Sequence, residues 1–403
     1  MKYVVFLGDG MADYPCDALG GKTPLECAQK PYMDKISAKG EIGLAKTVDD
    51  TLSPGSDVAN LSVLGYDPLR YYSGRSPLEA LSIGVDLQPT DVTFRANLVT
   101  LSDDGDYSRK TMVDYSAGEI STAEAVELIT YLQKELVIPG FSLYSGISYR
   151  HLLVWDKGSL NVKLTPPHDI SKKTVTEYLP GGEAGNVILD IMKQSHRLLQ
   201  NHPVNQERIR RGKNPANSLW IWGEGTKPAL DSFADKFGLS ACMISAVDLL
   251  KGIGNGTGMQ VATVEGVTGN IDTNFEGKAA AAISALSSGS DFVYIHVEAP
   301  DECGHQGQVD LKVKAIELID EKIVGPVMDY LEQSGEDYAV LLTPDHPTPL
   351  SLMTHVKNPV PFAIYKKGQS AGSGLSYTEE NAKQSGLYIE KGCQLINRLL
   401  EHK

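Results

Sequence analysis

Long apolar runs are absent from this 403-residue chain, and positive charge is scarce in it. No stretch approaches the roughly 18 consecutive apolar residues that a membrane-spanning helix needs. The apolar start stops at Gly8, before it reaches the length of a secretion signal. Lysine and arginine number 37 against 51 aspartates and glutamates, which gives a net charge of −14. We therefore expect a cytoplasmic protein that binds neither membranes nor nucleic acid, since nucleic-acid binding needs a basic surface.

Cysteine is also rare, with five residues and no CxxC spacing. Such a pattern is typical of reduced thiols in the cytoplasm and gives no sign of a disulfide framework or a zinc knuckle. The densest basic run, ERIRRGK at residues 207–213, is short and suits a small anionic ligand better than a polymer. The chain length predicts two domains.

Apolar strands and helical patterns alternate at both ends of the chain. The strands are KYVVFLGDG (2–10), DFVYIHVEAPDECGH (291–305), DYAVLLTPDHPTP (337–349) and PVPFAIYKKG (359–368). Helical patterns lie between them at FEGKAAAAISALSSG and at QVDLKVKAIELIDEKIVGPVMDYLEQSG. This alternation predicts an α/β core with a mainly parallel sheet flanked by helices and a ligand site outside the carboxyl ends of the strands.

The middle of the chain has a different pattern of short strand-like runs, prolines and two good helices. We expect an inserted, smaller α+β domain at residues 73–215, with residues 1–72 and 216–403 forming the core domain. The run NSLWIWGEG (217–225) is interpreted as the return to a strand of the core.

Acids and histidines follow three of the core strands and precede a fourth. If the strands are parallel, their carboxyl ends meet at one edge and bring these side chains together. Carboxylate and imidazole groups bind divalent ions such as Zn²⁺ or Mn²⁺, and this set is large enough for two ions. Each residue alone is more often a turn or cap residue, so the prediction rests on their joint order. The set is Asp9, Asp301, His305, Asp345, His346 and His355.

Ser56 lies in a sharp bend, PGSD, that runs directly into a helical pattern. In isolation the bend is best interpreted as a helix cap. Surrounded by metal ligands, Ser56 becomes the natural nucleophile, because a cation activates a hydroxyl that is otherwise a poor nucleophile. Asp57 and Asn60 are within reach of the same site, although either could simply stabilise the first helical turn.

Several motifs in order resemble those of one enzyme family. GDGMADYP, PGSDVANLSVLGYDP, APDECGHQG, TPDHPTP and THVKNPVPF are similar to motifs of the archaeal-type, cofactor-independent phosphoglycerate mutases of the alkaline phosphatase superfamily. The resemblance implies an alkaline-phosphatase-like core with an inserted domain and two divalent ions, manganese first, with zinc, cobalt or magnesium as alternatives. One ion would be held by Asp9, Ser56, Asp345 and His346, and the other by Asp301, His305 and His355.

The resemblance also implies a reaction. A phosphoryl group would pass from one hydroxyl of phosphoglycerate to Ser56 and then to the neighbouring hydroxyl, while the inserted domain binds the substrate and closes as a lid that excludes water. Each candidate for substrate binding could equally be a solvated surface charge. The candidates are Arg150, His151, Arg211, Lys213, Lys251 and Asp57.

Two other functions remain open. Some members of this branch are proposed homoserine kinases, which would keep Ser56 and the metals but change the acceptor; a phosphatase belongs to the same class.

The glycine-rich stretch KGIGNGTGM (251–259) lacks the spacing of a nucleotide-binding loop, so we interpret it as a flexible core loop or hinge. A non-catalytic metal-binding protein is the third possibility, but it would have no need of a serine so placed.

Overall fold

A computed structural model describes residues 1–103 and 105–401 and divides the chain into two compact units. The first unit comprises Met1–Tyr72 and the segment from Ala229 onward. The second unit is Ser73–Pro228. Among the described residues, no helix is both long and apolar enough to cross a membrane.

The strands and helices are numbered in chain order. The strands are β1 (Lys2–Gly8), β2 (Glu41–Ala45), β3 (Val92–Leu101), β4 (Met112–Asp114), β5 (Phe141–Tyr144), β6 (Arg150–Trp155), β7 (Ser218–Thr226), β8 (Ala241–Ile244), β9 (Gln260–Val261), β10 (Phe292–Val297), β11 (Tyr338–Thr343), β12 (Val360–Lys366) and β13 (Tyr388–Ile389). The helices are α1 (Pro24–Cys27), α2 (Pro31–Lys39), α3 (Ser56–Val63), α4 (Pro68–Tyr71), α5 (Ser76–Ser82), α6 (Thr122–Glu135), α7 (Gly185–Leu199), α8 (Pro203–Arg210), α9 (Phe233–Phe237), α10 (Asp248–Gly256), α11 (Phe275–Ser287), α12 (Ala299–His305), α13 (Val309–Ile319), α14 (Gly325–Gln333), α15 (Glu379–Gln384) and α16 (Leu395–Leu400).

The first unit is built on a sheet of order β13-β2-β12-β11-β1-β10-β8-β9. Strand β1 is central and pairs in parallel with β10 and β11, and all three strands are buried along their whole length. Such strands require cover on both faces, which explains their unbroken apolar sequences. The predicted α/β fold with a mainly parallel sheet is confirmed, except that β12 runs antiparallel to β11 and β2.

The long helical pattern at residues 308–335 is not one helix. Residues Asp320–Val324 form a π-helical turn between α13 and α14. Pro326 has no N–H to donate to the preceding turn, and the Asp320 carboxylate accepts hydrogen bonds from the backbone N–H groups of Tyr32 (3.2 Å) and Met33 (2.7 Å). The helical pattern is therefore interrupted at the point where a proline and a tertiary contact meet.

The second unit contains an antiparallel sheet in which β3 pairs with β4, β6 and β7, and β5 extends it beyond β6. The interpretation of residues 217–225 as a core strand was wrong, because β7 pairs with β3 over most of its length. Leu219, Trp220 and Ile221 of β7 pack in the apolar core of this unit. The second unit therefore ends at Pro228 and not at residue 215.

The glycine-rich stretch at 251–259 is mostly helical, which corrects its interpretation as a loop. It belongs largely to α10, and an added side chain at Gly254 would meet Val261 Cγ2 at 2.9 Å and Met243 Cβ at 3.2 Å. Glycine is needed there because it lets the helix approach β8 and β9 closely. Gly254 therefore serves the packing of α10 against the sheet.

A buried cation from α13 ties together the loops that follow β1 and β11. Lys312 Nζ lies 2.7 Å from Asp13 Oδ2, and it donates to the backbone oxygens of Thr348 (2.8 Å) and Ala12 (3.4 Å). Both charged side chains are at most 1% exposed. Such a pair holds its surroundings in one arrangement, since either charge would be costly to bury alone.

We expect Lys312→Met to lower the free energy of unfolding by about 3–5 kcal/mol, because it leaves the Asp13 carboxylate buried without its cation. The double variant Lys312→Met with Asp13→Asn should lose less. Urea denaturation of the metal-free protein measures both changes. Lys314→Met, which alters an exposed lysine of the same helix, is the matched control and should stay near wild type. A double variant less stable than the single one would contradict the prediction.

Candidate metal centre and nucleophile

Ser56 is the first residue of α3, and its side chain does not cap the helix. Gly55 occupies the capping position in an extended conformation (φ −175°, ψ 156°) and makes no side-chain cap hydrogen bond. The Ser56 hydroxyl instead lies 3.2 Å from His346 Nε2. The structure therefore favours the second interpretation of the bend, in which the hydroxyl is presented at a helix N-terminus.

The first group of candidate ligands consists of Asp9, Asp345 and His346. Asp9 follows β1 and the other two follow the adjacent strand β11, so the parallel pairing brings them to the same sheet edge. One ligand atom from each lies within 4.8 Å of the others. His346 Nε2 is 3.5 Å from Asp9 Oδ1 and 3.4 Å from Asp345 Oδ2. Through His346, the Ser56 hydroxyl joins this group.

The second group gathers around Asp301. His305, one turn further along α12, places Nε2 3.2 Å from Asp301 Oδ2, and His355 Nε2 lies 3.4 Å from Asp301 Oδ1. The two histidine Nε2 atoms are only 2.8 Å apart. His355 reaches this edge because β12 is antiparallel and therefore begins where its neighbour β11 ends. One ligand atom each of His346, Asp301 and His355 also lie within 4.8 Å of one another, so His346 connects the two groups.

Hydrogen bonds set the direction of the imidazole lone pairs. His305 Nδ1 lies 3.0 Å from the carbonyl oxygen of Met353, an acceptor that requires the proton on Nδ1. Thr348 donates its hydroxyl to Asp301 Oδ1 and can only accept from His346 Nδ1, 3.3 Å away. In the neutral rings Nε2 therefore carries no proton and can ligate a metal, which is the arrangement that metal-binding histidines use. Without a metal, the Asp301 carboxylate raises the pKa of His305 to about 9.

Three buried carboxylates at one edge create an electrostatic problem. Burial, and then the charges of Asp345 and Asp301, raise the pKa of Asp9 well above its usual range, and Asp9 Oδ1 is buried without a hydrogen-bond partner. Burial also raises the pKa of Asp301, but hydrogen bonds with His305 and His355 bring it well below its usual range. Burial lowers the pKa of His346. Divalent cations fit this donor set, because they supply the missing positive charge and prefer these ligand atoms.

Residues around the ligands hold them in place. Asn60, one turn after Ser56 on α3, donates to Asp345 Oδ2 (2.8 Å) and accepts from the Tyr294 hydroxyl (2.7 Å). His296 on β10 lies 2.9 Å from Asp9 Oδ2. Sequence reasoning noted Asn60 but missed His296 and Thr348. A histidine inside an apolar strand was the available signal for His296, because buried polar groups need partners.

The other predicted residues of the first unit lie in local contacts. Asp57 accepts from the Tyr72 hydroxyl (2.8 Å) and from the N–H of Val58 (2.9 Å). Lys251, on α10, places Nζ 3.2 Å from Asp248 Oδ1. Neither geometry decides whether the residue binds substrate, so both assignments stay predictions.

Within the second unit, the predicted cations separate into two pairs. Arg211 is exposed and bonded to Glu207 (2.6 Å), and Lys213 is exposed just beyond α8. Arg150 and His151 instead begin β6 beside β3. His151 is buried, its Nδ1 accepts from the N–H of Gly146 (3.0 Å), and its Nε2 is buried without a partner. Burial lowers the pKa of His151 to about 3, so this ring is a neutral donor.

Arg150 belongs to a cationic group that sequence reasoning missed. Arg95 on β3 stacks on the Trp222 ring at 4.4 Å and pairs with Glu79 at 3.2 Å, and Arg75 also bonds to Glu79 at 3.2 Å. Burial lowers the pKa of Arg95, Glu79 opposes this, and the positive charges of Arg75 and Arg150 lower it further. Two guanidinium groups share the Glu79 carboxylate and Arg150 adds a third positive charge near Arg95, so this group is suited to an additional anion.

Comparison with known sequences gives one family. The sequence model of the family described as 2,3-bisphosphoglycerate-independent phosphoglycerate mutase matches residues 37–205. A protein of Methanosarcina barkeri with the same description is 52% identical over 405 residues, covering 100% of both chains. A Geobacter sulfurreducens protein, described as a probable member, is 51% identical over 404 residues with the same coverage.

Two solved structures extend the comparison. A cofactor-independent phosphoglycerate mutase from Thermoplasma acidophilum is 27% identical, with a TM-score of 0.68, and the match covers 100% of this chain and 99% of that one. A protein from Pyrococcus horikoshii is 29% identical with a TM-score of 0.83, covering 99% of this chain and 96% of that one. The similarity therefore spans the whole chain.

We expect Asp9→Asn to raise the thermal stability of the metal-free protein and to remove the further stabilisation by Mn²⁺. The amide relieves repulsion among the buried carboxylates and keeps an acceptor for His296, but it is a poor ligand. In wild type, Mn²⁺ at 100 times its Kd should stabilise by about 2.7 kcal/mol. Calorimetric melting with and without Mn²⁺ measures this, and Asp329→Asn, an exposed residue of α14, is the control. A full Mn²⁺ effect in Asp9→Asn would refute the site.

Proposed function

The chain belongs to the family of 2,3-bisphosphoglycerate-independent phosphoglycerate mutases, and from this premise we propose that it interconverts 3-phosphoglycerate and 2-phosphoglycerate through a phosphorylated Ser56. The observation that carries the proposal is the position of the Ser56 hydroxyl 3.2 Å from His346 Nε2, beside buried carboxylates and histidines whose ligand atoms lie within 4.8 Å of one another. A purely structural serine would have no reason to sit there.

We assign the ligands of two divalent ions to the two groups. Asp9, Asp345 and His346, with Ser56, would hold one ion, and Asp301, His305 and His355 would hold the other; Mn²⁺ is the first candidate, and Zn²⁺, Co²⁺ and Mg²⁺ are alternatives. Such ions lower the pKa of a bound hydroxyl and neutralise phosphoryl oxygens.

The residues of the chain orient the transfer. Ser56 Oγ forms a bond to phosphorus while the bond from phosphorus to the glycerate oxygen breaks, and the hydroxyl proton of Ser56 passes to that glycerate oxygen. In the second step the phosphoryl group passes from Ser56 Oγ to the neighbouring hydroxyl of the same glycerate, and the proton of that hydroxyl returns to Ser56 Oγ. Because Ser56 stands at the start of α3, the helix N-terminus favours the negative charge that Ser56 would carry between the two steps.

Recognition of the substrate requires cations, since phosphoglycerate carries a carboxylate and a phosphate. Arg150 and the neighbouring Arg75 and Arg95 are the best candidates in the second unit, and the partnerless Nε2 of His151 is an additional donor. Lys251 and Asp57 remain candidates in the first unit. The pairing of Arg211 with Glu207 and the exposure of Lys213 make them weaker candidates. The role of the second unit as a lid stays a prediction.

We expect Ser56→Ala to abolish conversion of 3-phosphoglycerate to 2-phosphoglycerate, because no other group takes the phosphoryl. The assay uses purified protein with Mn²⁺ and no bisphosphoglycerate, and wild type should be active. Ser53→Ala, which changes an exposed serine of the same bend, is the matched control. Mass spectrometry after brief exposure to substrate should find phosphate on Ser56.

Two outcomes would contradict this assignment. Full activity in Ser56→Ala would exclude the phosphoserine route. Activity only with ATP and homoserine, tested on the same preparation, would move the protein to a different phosphotransferase reaction while leaving the metal centre intact.

We expect Arg150→Gln to lower kcat/KM by about 10–100-fold, mainly through KM, because a hydrogen bond between charged groups contributes about 1.5–3 kcal/mol. Arg150 is exposed, so the substitution should leave folding intact. Arg197→Gln, an exposed arginine on α7, is the control. A KM equal to that of wild type in Arg150→Gln would remove Arg150 from the substrate site.

A further inference from the structure

His296 is a fully buried histidine on β10, between β1 and β8 in the sheet. Its ring bridges two groups that follow these neighbouring strands. Nε2 lies 2.9 Å from Asp9 Oδ2, and Nδ1 lies 3.1 Å from Ser245 Oγ. The backbone oxygen of His296 accepts from Lys278 Nζ at 2.9 Å. Hydrogen bonds therefore hold both the ring and the backbone of His296 in place.

The hydrogen bonds determine which ring nitrogen carries the proton. Ser245 Oγ accepts from the N–H of Val247 at 3.0 Å, so its own proton remains available for His296 Nδ1. With Nδ1 as acceptor, the neutral ring carries its proton on Nε2 and donates it to Asp9 Oδ2. A chain of donors therefore runs from Val247 through Ser245 and His296 to Asp9.

This chain commits one carboxylate oxygen of Asp9 and leaves the other free. Asp9 Oδ1 is buried, has no hydrogen-bond partner and lies 3.5 Å from His346 Nε2. We propose that His296 is a positioning residue that fixes the Asp9 carboxylate so that Oδ1 alone is presented to a cation, and that Ser245 acts by selecting the tautomer of His296. The inference rests on the metal site of the proposed function.

A merely structural histidine would behave differently. If His296 only filled space in the sheet, its replacement would lower stability with and without Mn²⁺ by the same amount. If it orients Asp9, the affinity for Mn²⁺ falls, because outer partners of ligands typically change metal affinity 10–100-fold. The affinity for Mn²⁺ therefore separates the two roles without reference to activity.

The variants are chosen to vary the donor and the shape separately. His296→Leu removes the donor, whereas His296→Gln retains an amide N–H near the position of Nε2. Ser245→Ala leaves the ring and removes the group that selects its tautomer. His196→Leu is the matched control, since His196 is a buried histidine of α7, in the second unit, whose Nδ1 lies 2.8 Å from the backbone oxygen of Asn217.

The experiment is calorimetric titration of Mn²⁺ into full-length, metal-free protein, with circular dichroism to verify folding. We expect His296→Leu to weaken one Mn²⁺ site by about 10–100-fold, His296→Gln and Ser245→Ala to weaken it less, and His196→Leu to leave it unchanged. Should His296→Leu fail to fold, the comparison of His296→Gln and Ser245→Ala with wild type carries the same test.

The outcomes distinguish this inference from the function on which it rests. Wild-type affinity in His296→Leu, or in both His296→Gln and Ser245→Ala when the leucine variant does not fold, would overturn the positioning role alone. An equal loss in the leucine and glutamine variants would also overturn it, because the donor would then be irrelevant. Absence of Mn²⁺ binding by wild type would overturn the metal site itself.

Discussion

The burial of three like charges at one sheet edge is the constraint on which the first unit depends. Asp9, Asp301 and Asp345 are each at most 5% exposed. Removing a carboxylate from water is costly unless a partner compensates, and neighbouring carboxylates add repulsion. His305 offsets part of this charge, because the Asp301 carboxylate raises its pKa to about 9, but burial lowers the pKa of His346, which lies against Asp9 and Asp345. The arrangement therefore favours cations supplied from outside the chain.

The surrounding polar groups are organised around that same requirement. Donors such as Asn60 and Thr348 each satisfy one carboxylate oxygen, while Lys312 ties down the backbone that carries Thr348. None of these groups adds a positive charge directly to an acid that could ligate a metal. These groups orient the carboxylates but do not neutralise them, and residues that hydrogen-bond to metal ligands commonly have this role.

The meeting of these acids at one sheet edge could be predicted from the sequence, because they follow strands that have unambiguous apolar patterns. Asp9, Asp301 and Asp345 come after strands that could only be central, and the edge where they meet follows from parallel pairing. Pairing partners were harder to predict. The apolar run of β7 suits either sheet, and only its register with β3 places it in the second unit.

The contacts of residues inside strands and helices were also difficult to predict from the sequence. His296 and Arg95 lie inside apolar strands, where a sequence pattern shows burial but not the groups that the side chain meets. The glycines of α10 indicated a loop by propensity, yet close packing against β8 and β9 outweighs the local cost of glycine in a helix.

The pairing of β1 has a consequence for how the protein is made. Strand β1 has no sheet neighbour until β10 and β11 are synthesised, and Asp9 meets His296, which lies 287 positions further along the chain. Closing so long a loop is entropically costly and makes early folding of this strand slow. Ser73–Pro228, whose strands pair within the segment, can fold during translation, whereas β1 must wait until β10 and β11 have been synthesised.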